Sequence, residues 1–128
     1  MSDRKVITTD KSSPAFGPFV QALVKDGVLY TSGLMPFVPG SGDLVSPNLE
    51  EQMHQCMRNM KAILEAADMT MDDLIIVTIY TTDMAEFATL NKIYGSYFEG
   101  KTYPSRAAVG ITALAKGARV ELVAVAKK

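Results

Sequence analysis

In the stretch TYPSRAAVG, Thr102 to Gly110, one permanently charged side chain, Arg106, stands ahead of Ala107, Ala108, Val109 and Gly110. A guanidinium offers a planar fork of donors that grips a carboxylate with two parallel hydrogen bonds, and it cannot lose its proton. The small residues after it leave room for a ligand of few atoms. The second candidate is Glu121 in RVELVAVA, residues 119–126. Strand alternation puts it on the face of Val123 and Val125, where no charge is expected. A carboxylate there needs a partner, water or a pocket. The plain alternative is a cross-strand ion pair of Glu121 with Arg119 or Arg106.

Two further places could meet a ligand. Asn91 falls on the apolar side of a helix, where it either satisfies backbone groups or faces a bound molecule. Thr31-Ser32-Gly33 ends a strand at a bend, which is either a plain turn or a place where bare amides face a cleft. Other familiar devices are missing. His54 is the only histidine, so a multi-histidine metal site and a Ser-His-Asp triad are hard to build; its place on the polar side of a helix reads as solvated. Cys56, the only cysteine, excludes an intrachain disulfide and lies on an apolar stripe, as a buried inert thiol would. The GSGD run at 40–43 is a turn without the strand-to-helix context of a phosphate loop.

The elements that must position these residues follow from periodicity. VQALVKDGVLYTSG holds two β-rich runs, Val20–Lys25 and Val28–Ser32, around Asp26-Gly27, a pair suited to a type I′ hairpin turn. A short edge strand at Lys5–Thr8 precedes it. A helix is predicted from about Asn48 to Ala67, with Leu49, Met53, Cys56, Met57, Met60, Ile63, Leu64 and Ala67 as its inner stripe; Asn48 with Glu51 is a capping-box variant, and Ser46-Pro47 a competing start. Leu74–Thr82 reads as a buried strand. Asp83 should cap a second helix whose inner side carries Phe87, Leu90, Asn91 and Tyr94, with Gly100 just beyond its end. Strands at about Arg106–Ile111 and Arg119–Ala126 finish the chain. The order β-β-β-α-β-α-β-β describes an α+β sandwich, one mixed sheet with two helices on one face, and no linker or repeat suggests a second domain within residues 1–128.

Two helices cover only one sheet face, yet the last strand and Leu74–Thr82 are apolar on both. An uncovered apolar face marks an interaction surface, here expected to close a homo-oligomer. Thirteen basic against fourteen acidic side chains give a formal net charge of −1, which offers no footprint for a nucleic-acid backbone or an anionic membrane. No run approaches membrane-spanning length and no secretory signal opens the chain, so a cytoplasmic setting is expected.

Five segments, in order and correctly separated, carry a resemblance: GPFVQA (17–22), LYTSG (29–33), EFATLNKIYGSYF (86–98), YPSRAAVG (103–110) and RVELVAVA (119–126). Through them the chain resembles the RidA/YjgF family, also called L-PSP, over essentially its whole length. The resemblance implies a chorismate-mutase-like fold, a homotrimer with its sheets facing inward, and a ligand cleft at each subunit interface. It further implies cofactor-free hydrolysis of reactive enamines and imines, of the 2-aminoacrylate and 2-iminopropionate type, to 2-keto acids and ammonia. By the same resemblance Arg106 binds the substrate carboxylate and Glu121 positions or activates water. Ser32, Gly33 and Asn91 would line the cleft. Four positions depart from the family's usual pattern: Phe19 stands for a Tyr, Leu34 for a Gln, Ala108 for a Cys and Val123 for a second Glu. By the resemblance Phe19, Leu34 and Ala108 line the cleft, and these three departures together with Val123 are the ones expected to bear on side-chain specificity. A non-catalytic trimer binding small carboxylates is the alternative function, and a ribonuclease or translation-inhibitor role sits poorly with the near-neutral charge.

Overall fold

The computed structural model describes residues 3–128. A six-stranded mixed sheet runs in the order β1-β2-β3-β6-β4-β5. Its strands are β1 (Lys5–Ile7), β2 (Ala22–Lys25), β3 (Val28–Thr31), β4 (Leu74–Thr81), β5 (Ser105–Gly110) and β6 (Val120–Lys127). Only β4 and β5 pair in parallel; every other neighbouring pair is antiparallel. The hairpin forms as the Asp-Gly pair requires, with positive φ at both Asp26 (53°) and Gly27 (78°).

The first helix, α1 (Leu49–Ala66), begins at Asn48, whose side chain accepts the Glu51 amide at 2.9 Å. Its stripe of Met53, Cys56, Met57, Met60, Ile63 and Leu64 is fully buried against Val77, Ile79, Leu122 and Ala124 of the sheet. The second helix, α2 (Phe87–Ser96), starts later than its sequence suggests. Asp83 opens a single tight turn, Met84–Glu86, and makes no side-chain cap bond. Its carboxylate is committed elsewhere: Arg119 Nε donates to Asp83 Oδ2 at 2.5 Å, and the two side chains form an ion pair. Arg119 also donates to the Pro47 carbonyl at 3.2 Å, so this pair ties the entrance of α1 to the entrance of α2. An ionic partner outside the helix has displaced the local cap.

The polar side of α1 is not solvated along its length. Gln52, Gln55 and Asn59 are buried beneath the connections that precede the helix. Asn59 Nδ2 donates to the carbonyls of Met35 and Phe37, both at 3.0 Å, and its side-chain oxygen accepts from Gln55 at 2.9 Å. His54, too, is half-buried: its Nδ1 lies 2.7 Å from the Tyr97 hydroxyl, joining α1 to the end of α2. A helix with one apolar stripe by sequence thus has a second, hydrogen-bonded contact face.

The opposite face of the sheet carries no helix. Register places Tyr30, Val125, Ile76, Val123, Thr78 and Tyr80 side by side on it. At the sheet's edge all six residues of β5 are exposed. Among the described residues no helix is long and apolar enough to cross a membrane.

Asn59→Leu leaves two buried carbonyls without donors, and such groups cost about 1–3 kcal/mol each. Urea denaturation should show a loss of about 2–4 kcal/mol, far more than a change on a solvated helix face would give.

Candidate active site

Arg106 enters the structure as the second residue of the exposed edge strand. Its register partner is Val77, which is fully buried, so the Arg106 side chain leaves the sheet on the helix side. There α2 receives it. Residues 87, 91 and 94 recur at i, i+4 and i+7 and share one helix face. The guanidinium carbon lies 5.3 Å from the Phe87 ring centroid and 5.1 Å from that of Tyr94. Nη1 donates to Asn91 Oδ1 at 2.6 Å. Two ring faces and one amide oxygen hold the cation in place without neutralising it. Beside it opens a cavity of about 410 Å³, lined by Asn91, Tyr94, Gly95, Tyr103, Pro104 and Arg106.

Tyr94 is the floor of this cradle. It is 3% exposed, and its hydroxyl has no hydrogen-bond partner among the described residues. Burial pushes its pKa up to about 12, against the lowering pull of Arg106, so the phenol stays neutral. The ring is therefore retained for stacking on the guanidinium and on Phe98, 4.9 Å away between centroids.

Glu121 is placed differently. It pairs with Tyr80 on β4, and its side chain leaves the sheet on the face opposite the helices. It reaches a second cavity of about 380 Å³, which Phe19, Ser32, Gly33, Phe37 and Lys116 also line. Neither Arg119 nor Arg106 pairs with it, and no ion pair or hydrogen bond to its carboxylate occurs among the described residues; the expected cross-strand pair does not form. Desolvation raises its pKa above the ordinary glutamate value. Gly33 makes the approach possible: a Cβ there would come within 2.5 Å of a Glu121 carboxylate oxygen. At this position glycine supplies room rather than an unusual backbone angle.

Arg106 and Glu121 are two strands apart, about 10 Å across the sheet, and three residues apart along it, about another 10 Å. They also point to opposite faces. One chain therefore holds two half-sites rather than one site, and no small molecule can touch both.

The other expected cleft residues divide. Asn91 joins Arg106, and Ala108 shares its face of β5, exposed two residues farther along. Phe19 (51% exposed), Ser32 and Gly33 join Glu121. The Ser32 hydroxyl donates to the Val20 carbonyl at 2.6 Å. Leu34 joins neither half-site. It is 3% exposed, and its backbone bridges Leu122, so its side chain belongs to the core and not to a cleft wall. The Cys56 thiol is buried, with its pKa pushed well up by desolvation and then by Glu121, as befits an inert group. No three His, Cys, Asp or Glu side chains gather to hold a metal ion among the described residues. Sequence reading passed over Phe16, Phe37 and Lys116, which have no shared period and meet only through loops. It took Phe87 and Tyr94 for core alone, although their spacing around Asn91 already put all three on one face.

Residues 9–128 match the sequence profile of the family described as Endoribonuclease L-PSP. The chain belongs to that family. Among its L-PSP relatives, the 2-iminobutanoate/2-iminopropanoate deaminase of Mus musculus is 41% identical over 123 residues, covering 96% of this chain and 90% of the mouse protein. A solved member of the conserved Rid protein family, YyfA from Yersinia pestis, matches with a TM-score of 0.94 at 38% identity, over 98% of this chain and 99% of YyfA. E. coli TdcF, solved with bound serine, matches with a TM-score of 0.92 at 33% identity, over 97% of this chain and 98% of TdcF. The mixed sheet with two helices expected of this chain is the Rid fold.

Tyr94→Phe keeps the stacked ring and removes the unpaired buried hydroxyl. Thermal unfolding should show a gain of about 1 kcal/mol in stability; a loss would mean that the hydroxyl is satisfied in solution.

Proposed function

We propose that this L-PSP family member hydrolyses small 2-imino and 2-enamino acids to 2-keto acids and ammonia, in clefts completed between the subunits of a homotrimer. One observation carries the reading: an unneutralised guanidinium and an unpaired, desolvated carboxylate, each beside an open cavity, stand on opposite faces of one sheet. Unpaired charges at cavities are costly unless something arrives to use them. A second copy of the chain, bringing its Glu121 half-site to the Arg106 half-site of the first, would give both groups one ligand. The uncovered apolar sheet face and the fully exposed β5 supply the surface for such packing. The naming of mammalian relatives as imine deaminases, and the serine held by E. coli TdcF, support a ligand with a small carboxylate.

The chemistry needs little more. Arg106 takes the substrate carboxylate through its free N–H groups, the Asn91 bond having fixed the plane of the fork. An enamine first becomes the imine by taking a proton at its β-carbon and giving one up from its nitrogen. The imine carbon is already electrophilic, more so when its nitrogen is protonated. Glu121 accepts a proton from a water molecule as the oxygen bonds to that carbon. The resulting carbinolamine receives that proton on nitrogen from Glu121, the C–N bond breaks, and ammonia leaves as the C=O bond forms and the hydroxyl proton returns to the Glu121 carboxylate. One water is consumed, and the keto acid and one ammonia are produced.

The Arg106 half-site is complete within a single chain. That favours, as the second reading, carboxylate binding without turnover. Each cavity holds a single cation, Arg106 in one and Lys116 in the other, which gives little support to RNA cleavage as an alternative.

A coupled assay tests the main reading: a serine or threonine dehydratase releases the imine, and keto-acid formation is followed. The protein should accelerate release, and Arg106→Ala should lose roughly 100-fold of that acceleration. Glu121→Gln should lose a similar share. Refolding the two variants together in equal amounts should restore about a quarter of the wild-type activity, because an intact cleft then draws its arginine and glutamate from different chains of the closed assembly. An unchanged imine decay rate removes the deaminase reading. Keto-acid binding that depends on Arg106 without turnover would install the carboxylate-binding one. Two variants that stay inactive when mixed would remove the shared cleft.

The pH profile gives an independent check. A raised pKa means that Glu121 holds its proton to a higher pH than an ordinary carboxyl, so the basic form appears only above that shifted value. The acid limb of kcat/KM should therefore lie above the ordinary glutamate pKa of about 4.3. It should vanish in Glu121→Gln.

A further inference from the structure

The Glu121 cavity is larger and more apolar than water activation requires. Four large apolar side chains face it, Phe16, Phe19, Met35 and Phe37, while Glu121 is its one acid. Phe16 and Phe19 are 59% and 51% exposed, so their rings are available to a ligand rather than packed away.

The walls are built in place. Phe16 lies directly over the Gly42 backbone, where a Cβ would fall 1.9 Å from the ring, and Gly42 has a φ of +72°. The Lys116 ammonium sits between two rings, 5.2 Å from the Phe16 centroid and 5.1 Å from the Phe37 centroid. It also donates to the Gly42 carbonyl at 3.1 Å. Lys116 adopts a φ of +56°, an uncommon backbone conformation for a residue with a side chain. With its charge placed over two ring faces and one donor given to Gly42, Lys116 is a clamp that fixes the aromatic wall. Phe37 is anchored from behind by Asn59, which takes its carbonyl at 3.0 Å. Phe19 closes the remaining side, with the bare Gly17 backbone beneath its ring.

We infer that this aromatic box receives the substrate's side chain and selects 2-imino acids with large apolar or aromatic side chains over those carrying only a methyl group. The inference rests on the deaminase reading above and names its substrate class. Held by its carboxylate at Arg106 of one subunit, with its imine carbon at Glu121 of the next, a substrate has one direction left for its side chain, into the box. A methyl group leaves most of about 380 Å³ to water. An isobutyl or benzyl group removes that water and buries apolar surface on both partners. A tenfold to hundredfold preference is the usual scale for such a difference in an apolar pocket. Filling the box also dries the surroundings of Glu121, where an acceptor of protons gains strength from loss of water.

The test generates imines from alanine, leucine and phenylalanine with an amino-acid oxidase and follows their hydrolysis in competition with semicarbazide trapping. The leucine- and phenylalanine-derived imines should be hydrolysed with kcat/KM at least roughly tenfold above the alanine-derived one. Phe16→Ala, a change at an exposed ring, should cut that ratio at least roughly fivefold. Calorimetry supplies a readout free of turnover: phenylpyruvate should bind at least roughly tenfold more tightly than pyruvate, and Phe16→Ala should narrow the gap. Equal rates or equal affinities across the series overturn the inference. If the alanine-derived imine is hydrolysed in an Arg106-dependent way with no discrimination, the box fails while the deaminase reading stands. If no imine is accelerated, the deaminase reading fails, and a protein that then also binds phenylpyruvate no better than pyruvate overturns the box independently.

Discussion

Arg106 is held by groups that carry no negative charge. Two aromatic faces and one amide oxygen fix the guanidinium, where a carboxylate would have fixed it more strongly and silenced it. The cradle leaves donors free and the charge intact, which is what recognition of an anion requires. The rest of the structure maintains that condition. Asp83, the acid at the entrance of α2, is occupied by Arg119. The small residues of β5 keep the edge beside Arg106 open, and helix α2 is set one turn later than its sequence suggests, with Phe87 as its first residue under the cation.

Glu121 is the mirror image of that constraint. A carboxylate half-buried among Phe19, Ser32 and Gly33 with no ion pair among the described residues is unfavourable, and its raised pKa expresses that cost. The sheet prevents the obvious relief. With β4 between the two strands and the side chains on opposite faces, the arginine of a chain cannot reach its own glutamate. Strand order, a global property, thus keeps two reactive charges from cancelling each other.

Much of this was legible in the sequence because it is local. Asp26-Gly27 demanded positive φ and obtained it; the Met-rich stripe of α1 is buried where its period put it; alternation in β6 correctly set Glu121 against Val123 and Val125. The errors lie where distant segments decide. Asp83 reads as a cap until Arg119, 36 residues later, takes it. Leu34 reads as a cleft wall beside Gly33, yet one residue along an extended chain reverses the side-chain direction and sends it into the core. The polar face of α1 looks solvated because nothing local shows that the 35–37 connection folds over Asn59. The partition of Arg106 and Glu121 between faces depends on the register that sets them opposite Val77 and Tyr80 of β4, and no spacing in the sequence encodes that register.

That partition also accounts for the sheet face that no helix covers. A fold that stored both charges on one face would form its site within one chain and would gain nothing chemically from leaving an apolar surface bare. On the reading proposed above, the bare face and the divided site pose the same demand, since another copy of the chain would satisfy each and nothing among the described residues of this one does. Covering Tyr30, Val123 and Val125 with a partner's equivalent surface removes apolar area from water. If that approach also closed solvent off from the mouths of both cavities, an arginine and a glutamate would act on a shared ligand far more strongly than either does in water. In the proposed assembly self-association and chemistry would be one event, and the interface residues would be determinants of activity although none of them touches the reacting atoms.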